Sequence, residues 1–423
     1  MNLKNNYNII IYLILYFSLL LGFFINEDFT IGYKIDHLIH LKIIERFNQD
    51  FFGSLLNFDK QNLEFTSAHS PFFYIVYLLL KKISFNSDII LRILNFHISL
   101  FIPYLFYLIL KIKNLNNRSL LINLLPGIFF LSPYFRSGSL WVGSENISLV
   151  FLFASFYYYL LYKFKEEKKF SLVIINILFL SIAAYLRPIY SLFSLFFFIS
   201  LLKDLNDTKK ILFYILINFF LAFPAFYYLF ILKVNFIAMH ISEPITISRF
   251  VNQFSMVISI LFFYSTIFII FNFKKLIKLI FNIPNLVLFF IYFFILINYF
   301  NYVIPYGGGI FYRISSLIFL NNYFFYIISG LGFIFFKIIL FDNFKIKTNI
   351  NDIILFLTLL FLEIDRTIYH ETYDILIYPI FLIFFKNYYY SSFLDKFNKD
   401  KLIFLYSFSF LFLLMNFIKS NIF

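Results

Sequence analysis

The sequence predicts an all-α membrane protein: a polytopic bundle of about 13 transmembrane helices with an outer-face loop containing interfacial helices. Three observations predict it. First, 62% of the 423 residues are hydrophobic and 13% are charged, with a mean hydropathy of +0.85, which exceeds what a soluble core needs. Second, apolar runs recur along the whole chain at about the 20-residue length that crosses a hydrocarbon core of about 30 Å. Third, the polar intervals between runs alternate in character. One set is basic through lysine; the other holds most of the acids and histidines and nearly all the arginines.

The formal charge of +13 does not point to nucleic acid. A basic excess in so apolar a chain is explained by lysines facing anionic lipid on the cytoplasmic side. There is no cysteine, which excludes disulfides, thiolate metal sites and a cysteine nucleophile.

Taken in order, residues 1–25 form the first transmembrane helix, an uncleaved signal anchor with its N-terminus inside, since only Lys4 precedes the apolar run and no small-residue cleavage site follows. Residues 26–87 form the outer-face loop. Within it, 33–47 places Ile35, Leu38, Ile39, Ile43 and Phe47 on one side of a helix and Asp36, His37 and His40 on another, a pattern suited to the membrane interface. Ser70-Pro71 reads as an N-cap and first turn, opening a second helix that ends at Lys81 and Lys82 and is too short to span.

The N-terminal bundle, 88–232, has spans at 88–110, 119–135, 146–162, 170–186, 189–202 and 211–232; an outer loop follows at 233–253. The C-terminal bundle, 254–423, has spans at 254–271, 283–300, 317–336, 353–362, 373–385 and 402–418. Keeping the 71–83 helix out of the membrane puts most of the basic residues in cytoplasmic loops, as the positive-inside rule requires. Two short spans, 353–362 and 373–385, draw the charged turn near 363–374 below the outer surface, where charge is tolerated only within protein or a watered cavity.

Ionisable residues are costly in such a chain and tend to be kept where they act. The outer loop concentrates Glu27, Asp28, Asp36, Glu45, Asp50, His37, His40 and His69. Arg46, Arg92, Arg136, Arg187, Arg249, Arg313 and Arg366 all fall on the outer side, with Arg118 the inside exception. Arginine holds phosphate bidentately and stays charged in poorly hydrated sites, so this asymmetry suits a phosphate-bearing lipid. Arg46 and Arg92 are expected to snorkel, and the lone Trp141 to anchor at the interface. The glycines at 307–309 before Arg313 read as an anion nest or a plain turn.

An acidic pair at the outer end of the first span (Glu27-Asp28), an amphipathic loop, His69-Ser70-Pro71-Phe72-Phe73-Tyr74 opening a surface helix, and Leu91-Arg92-Ile93 in the second span together resemble the GT-C glycosyltransferases. The likeness is to the branch with protein O-mannosyltransferases and the lipid A aminoarabinose transferase. It covers about the first 200 residues by pattern and the remainder by topology. That family more often has Asp-Glu, or one acid with a nearby histidine, where this chain has Glu-Asp.

The resemblance implies a GT-C-like fold and an inverting transfer of sugar from a polyprenyl-phosphate donor to a lipid or glycan acceptor on the outer face of a bacterial inner membrane. Such chemistry asks for a carboxylate to take the acceptor proton and cations to meet the departing phosphate. On this reading Asp28 is the base, with Glu27 and Asp36 as alternatives. Arg187, Arg366 and Arg313 hold the donor phosphate, and His69, His37, His40, Glu145 and His370 position substrate. No cofactor is implied. A divalent metal on Asp36, His37, His40 and His69 lacks a fixed tetrahedral spacing. A transporter or flippase of lipid-linked sugars, or a polysaccharide polymerase or ligase, would share the spans and the outer arginines. The first leaves the acidic, histidine-rich loop after the first span unexplained, and the second ordinarily carries its main outer loop late in the chain.

Overall fold

A computed structural model describes residues 3–30, 32–58, 69–113, 120–165, 167–231, 246–303, 307–341, 349–363, 367–395 and 397–422. Every regular element among them is helical, and the chain divides into two compact units, 1–239 with 397–423, and 240–396.

The first unit contains α1 (Leu3–Phe24), α2 (Tyr33–Gln49), α3 (Phe51–Leu56), α4 (Pro71–Ile83), α5 (Asp88–Ser99), α6 (Phe101–Lys113), α7 (Pro133–Leu140), α8 (Ser144–Phe164), α9 (Phe170–Leu186), α10 (Phe193–Leu202) and α11 (Thr208–Phe226). The second contains α12 (Ile247–Phe271), α13 (Phe273–Ile280), α14 (Ile283–Tyr299), α15 (Gly309–Ile318), α16 (Tyr323–Phe341), α17 (Ile350–Phe361), α18 (Glu371–Pro379) and α19 (Tyr388–Asp395). The last helix, α20 (Lys399–Ile422), belongs to the first unit.

Six helices among the described residues are long and apolar enough to cross a membrane: Asp88–Lys113, Ser144–Phe164, Thr208–Ile231, Ile247–Phe271, Tyr323–Phe341 and Lys399–Ser420. A seventh is obtained if the bent pair α13 and α14 is one span. Other expected spans correspond to shorter apolar helices, including Asn8–Phe24, Phe170–Leu186 and Ile350–Phe361. The chain is thus an all-helical integral membrane protein.

Local chemistry explains most boundaries. Ser87, Ser132, Asp207, Thr246 and Asn349 accept hydrogen bonds from first-turn amides of α5, α7, α11, α12 and α17, each satisfying a donor the helix leaves open. The expected span at 119–135 takes another form. Pro126 interrupts α-helical bonding, and Leu120–Leu131 is a 3₁₀ helix followed by a turn into α7. Tyr12 and Tyr406 donate to the carbonyls of Asn123 and Leu124, each at 2.6 Å, and satisfy backbone there.

In the first unit α8 packs on α6 and α9, with Asn176 of α9 donating to the Ser155 carbonyl at 2.8 Å and hydroxyl at 2.7 Å. Such interhelical amide bonds supply directional adhesion where lipid removes the hydrophobic drive. Helices α2 and α4 meet over Ile43, Ile44, Phe47, Phe73, Tyr74, Tyr77 and Leu78, and Lys81 reaches Glu45 at 2.7 Å. In the second unit α12 is central and packs against α14 and α16. Gly332 of α16 lies where a Cβ would come within 3.3 Å of the Ile258 carbonyl, so a small residue lets these two backbones approach.

Candidate functional site

The stretch after α1 brings the sequence-selected acids into three different states. Glu27 is sequestered. Its carboxylate forms a two-pronged pair with Arg136, Nε to Oε1 and Nη2 to Oε2 both at 2.6 Å, with the side chains 7% and 5% exposed. Arg136 also donates to Ser18 and Phe130, while the Trp141 indole donates to the Glu27 carbonyl at 2.9 Å. This pair joins α1 to α7.

Asp28 shapes backbone. Its Oδ1 accepts from the Thr30 amide at 3.1 Å and hydroxyl at 2.8 Å, and its Oδ2 accepts from the Lys34 amide at 2.9 Å, so both oxygens hold the entry to α2.

Asp36, in the first turn of α2, is exposed, and among the described residues its carboxylate is given no hydrogen bond. Desolvation, then the carboxylates of Glu145 and Asp28, push it up to about 6. Exposed as a residue yet crowded by like charge, it is poised to exchange a proton near neutrality.

The histidines turn inward, where the helical pattern alone had set them on the polar face of α2. His37 is buried; its Nδ1 accepts from the Val142 amide at 3.2 Å, and its Nε2 stands 3.0 Å from Asp88 Oδ1. A ring fixed on both edges binds α2 to α5 and to the segment after α7. His40 is buried beside Tyr74, with Nδ1 3.3 Å from the phenol, and its ring centre lies 4.9 Å from that of His69. Burial, then His69, drives His40 down to about 3, opposed in part by Glu145; it is a neutral imidazole. Ser70 does not cap α4 with its side chain; the hydroxyl donates to the Tyr185 carbonyl.

Glu145 and Arg187 complete this cluster. Glu145 opens α8, Arg187 closes α9, and Arg187 Nη1 lies 3.4 Å from Glu145 Oε1 with both side chains 14% exposed. The guanidinium stands 5.7 Å from the ring centre of Tyr190, whose hydroxyl bonds with Ser148 and Arg187. The fold therefore gathers Asp36, His40, His69, Glu145 and Arg187 from α2, the start of α4, α8 and α9.

Two further structural expectations change. Arg92 does not snorkel: it is 8% exposed, donates Nε to the Leu140 carbonyl at 3.0 Å and lies 3.9 Å over the Trp141 ring. Trp141, 4% exposed, is held inside this corner rather than at an interface.

The second unit is described separately. Arg366 lies outside the described residues. Arg313 donates Nε to the Gly307 carbonyl at 3.0 Å. Gly307, Gly308 and Gly309 all have positive φ, but the Gly308 amide is given to the Ile368 carbonyl at 2.8 Å and the Ile310 amide to His370 Nε2 at 3.0 Å. These bonds make the segment an anchored turn. Buried His370 continues through Nδ1, 3.3 Å from the Tyr264 hydroxyl, which donates to Asp374 at 2.8 Å.

The partners Arg136, Asp88, Tyr74 and Tyr190 were not selected from sequence as members of the site. Arg136 carried a signal, an arginine at an expected outer span end, and Tyr74 lies in the His69–Tyr74 motif; Asp88 is an acid at an expected span start, and Tyr190 carried nothing that distinguishes it from ordinary packing. Among the described residues no group of three or more histidines, cysteines or acids is placed to hold a metal ion. Comparison with protein-family models, curated proteins and solved structures returns no match.

Proposed function

We propose that this protein is a membrane glycosyltransferase of GT-C architecture, crossing a bacterial inner membrane about 13 times and moving a sugar from a polyprenyl-phosphate donor to a cell-envelope acceptor on the outer face. The observation that carries the reading is the juxtaposition in the first unit of an unengaged carboxylate raised to about 6, Asp36, with the Glu145–Arg187 pair and the neutral His40 beside His69. Asp36 takes the proton of the acceptor as its oxygen or nitrogen attacks the anomeric carbon. The bond from that carbon to the phosphate oxygen breaks, and Arg187 meets the charge left on the polyprenyl phosphate. Glu145 orients the guanidinium and can accept sugar hydroxyls; His69 positions the donor. Asp28 and Glu27 hold the scaffold under Asp36.

Mass spectrometry of envelope glycans and glycolipids tests this in strains carrying wild type, a deletion, Asp36→Asn or Asp28→Asn at matched membrane levels. The expected result is that Asp36→Asn loses the same sugar as the deletion and accumulates the lipid-linked donor. Retention of the sugar by Asp36→Asn with its loss in Asp28→Asn moves the base to Asp28. A deletion that loses the sugar but strands its lipid-linked donor on the cytoplasmic leaflet, and not on the outer one, replaces the transferase by a flippase.

A further inference from the structure

Three lysines of the second unit gather on one feature that the transferase reading does not use. Helix α13 has the sequence FKKLIKLI, in which Lys274, Lys275 and Lys278 fall along one face and Phe273, Leu276, Ile277 and Ile280 along the other. All three lysines are exposed. Leu276 is 1% exposed and pins the helix to the unit, while Phe273 and Phe281 are 54% and 60% exposed beside the lysines.

Its placement is equally defined. α13 is bent 71° from α14, so a membrane-spanning α14 lays α13 near the bilayer plane. The bend is braced: Asn285 of α14 donates to the Leu279 carbonyl at 2.7 Å and accepts from Lys337 at 3.1 Å, and Lys275 lies 5.3 Å over the Tyr389 ring.

We propose that α13 is an in-plane docking helix for anionic phospholipid headgroups. Its lysines engage the phosphates of the cytoplasmic leaflet, and Phe273 and Phe281 enter the boundary between headgroups and acyl chains. Charge complementarity selects this occupant. A row of ammonium groups bordered by exposed aromatics, on a helix bent into the membrane plane, matches a surface that is anionic above and apolar below.

Because the chain has no cysteine, Phe281→Cys gives a single labelling site. Full-length protein carrying a bimane there is placed in nanodiscs of phosphatidylcholine alone or mixed with phosphatidylglycerol. Quenching by neutral acrylamide is measured, with native mass spectrometry of the lipid that the unlabelled protein retains. The expected result is stronger shielding in the mixed discs and loss of retained phosphatidylglycerol, by roughly fivefold per lysine, when Lys274, Lys275 and Lys278 become Gln. The corresponding Arg set keeps both properties, and an unchanged thermal midpoint in neutral discs confirms that the Gln set is folded. Equal quenching in the two discs, or a folded Gln set that keeps its phosphatidylglycerol, overturns the proposal. An Arg set that loses the lipid also overturns it, because shape and not charge would then be the determinant.

Discussion

Asp36 and Glu27 are both carboxylates on the stretch that follows α1, yet opposite consequences follow from replacing them. With Asp36 near 6, its charged, proton-accepting form grows as pH rises, so kcat/KM for sugar transfer should climb through about pH 6 and level above it. A pH–rate profile with purified donor and acceptor measures this; a flat profile between about pH 5 and 7 excludes Asp36 as the titrating base. Glu27→Gln leaves the Arg136 guanidinium buried without its counter-charge, a change that costs about 3–5 kcal/mol. Thermal unfolding in detergent should therefore show Glu27→Gln strongly destabilised and Asp36→Asn folded. That these acids are candidates was legible in the sequence, because charge is rare and costly in an apolar chain. Their division of labour was not, since Arg136 lies 109 positions from Glu27 and only folding pairs them.

Helix periods and breakers carry much of the local architecture. The span expected at 170–186 coincides with α9, bounded by Lys169 and by Arg187-Pro188, and the short surface helix expected at 71–83 coincides with α4. The inward turn of His37 and His40 was not readable from periodicity, because the face of α2 that is covered depends on α4 and α5. The glycine turn before α15 offers a test at this scale. Gly307 has φ +71°, and a Cβ there would come within 2.5 Å of the Ile368 carbonyl oxygen, which is fixed backbone. Gly307→Ala should lower stability by about 1–3 kcal/mol in thermal unfolding. Gly32→Ala, at an ordinary φ of −103° with the nearest atom 4.0 Å away, should move it by less than about 0.5 kcal/mol.

For the whole molecule, the separation of the loop lysines from the arginines yields an orientation that single-cysteine labelling can read. Lys165→Cys should be protected from a membrane-impermeant thiol reagent in intact cells, and Asn57→Cys and Asn301→Cys should react; the reverse pattern inverts the topology and moves Asp36 to the cytoplasm. The hydrophobic spans made membrane residence legible in advance. Their bends and breaks, such as the 71° turn into α14, depend on tertiary bracing that a hydropathy pattern does not contain. The corner joining α1, α5 and α7 has one more consequence. Trp141 is the chain's single tryptophan, its ring covered by Arg92 and its indole N–H given to the Glu27 carbonyl. Intrinsic emission excited at the indole band is therefore a one-point optical gauge, reporting without any added dye whether the platform beneath Asp36 is assembled.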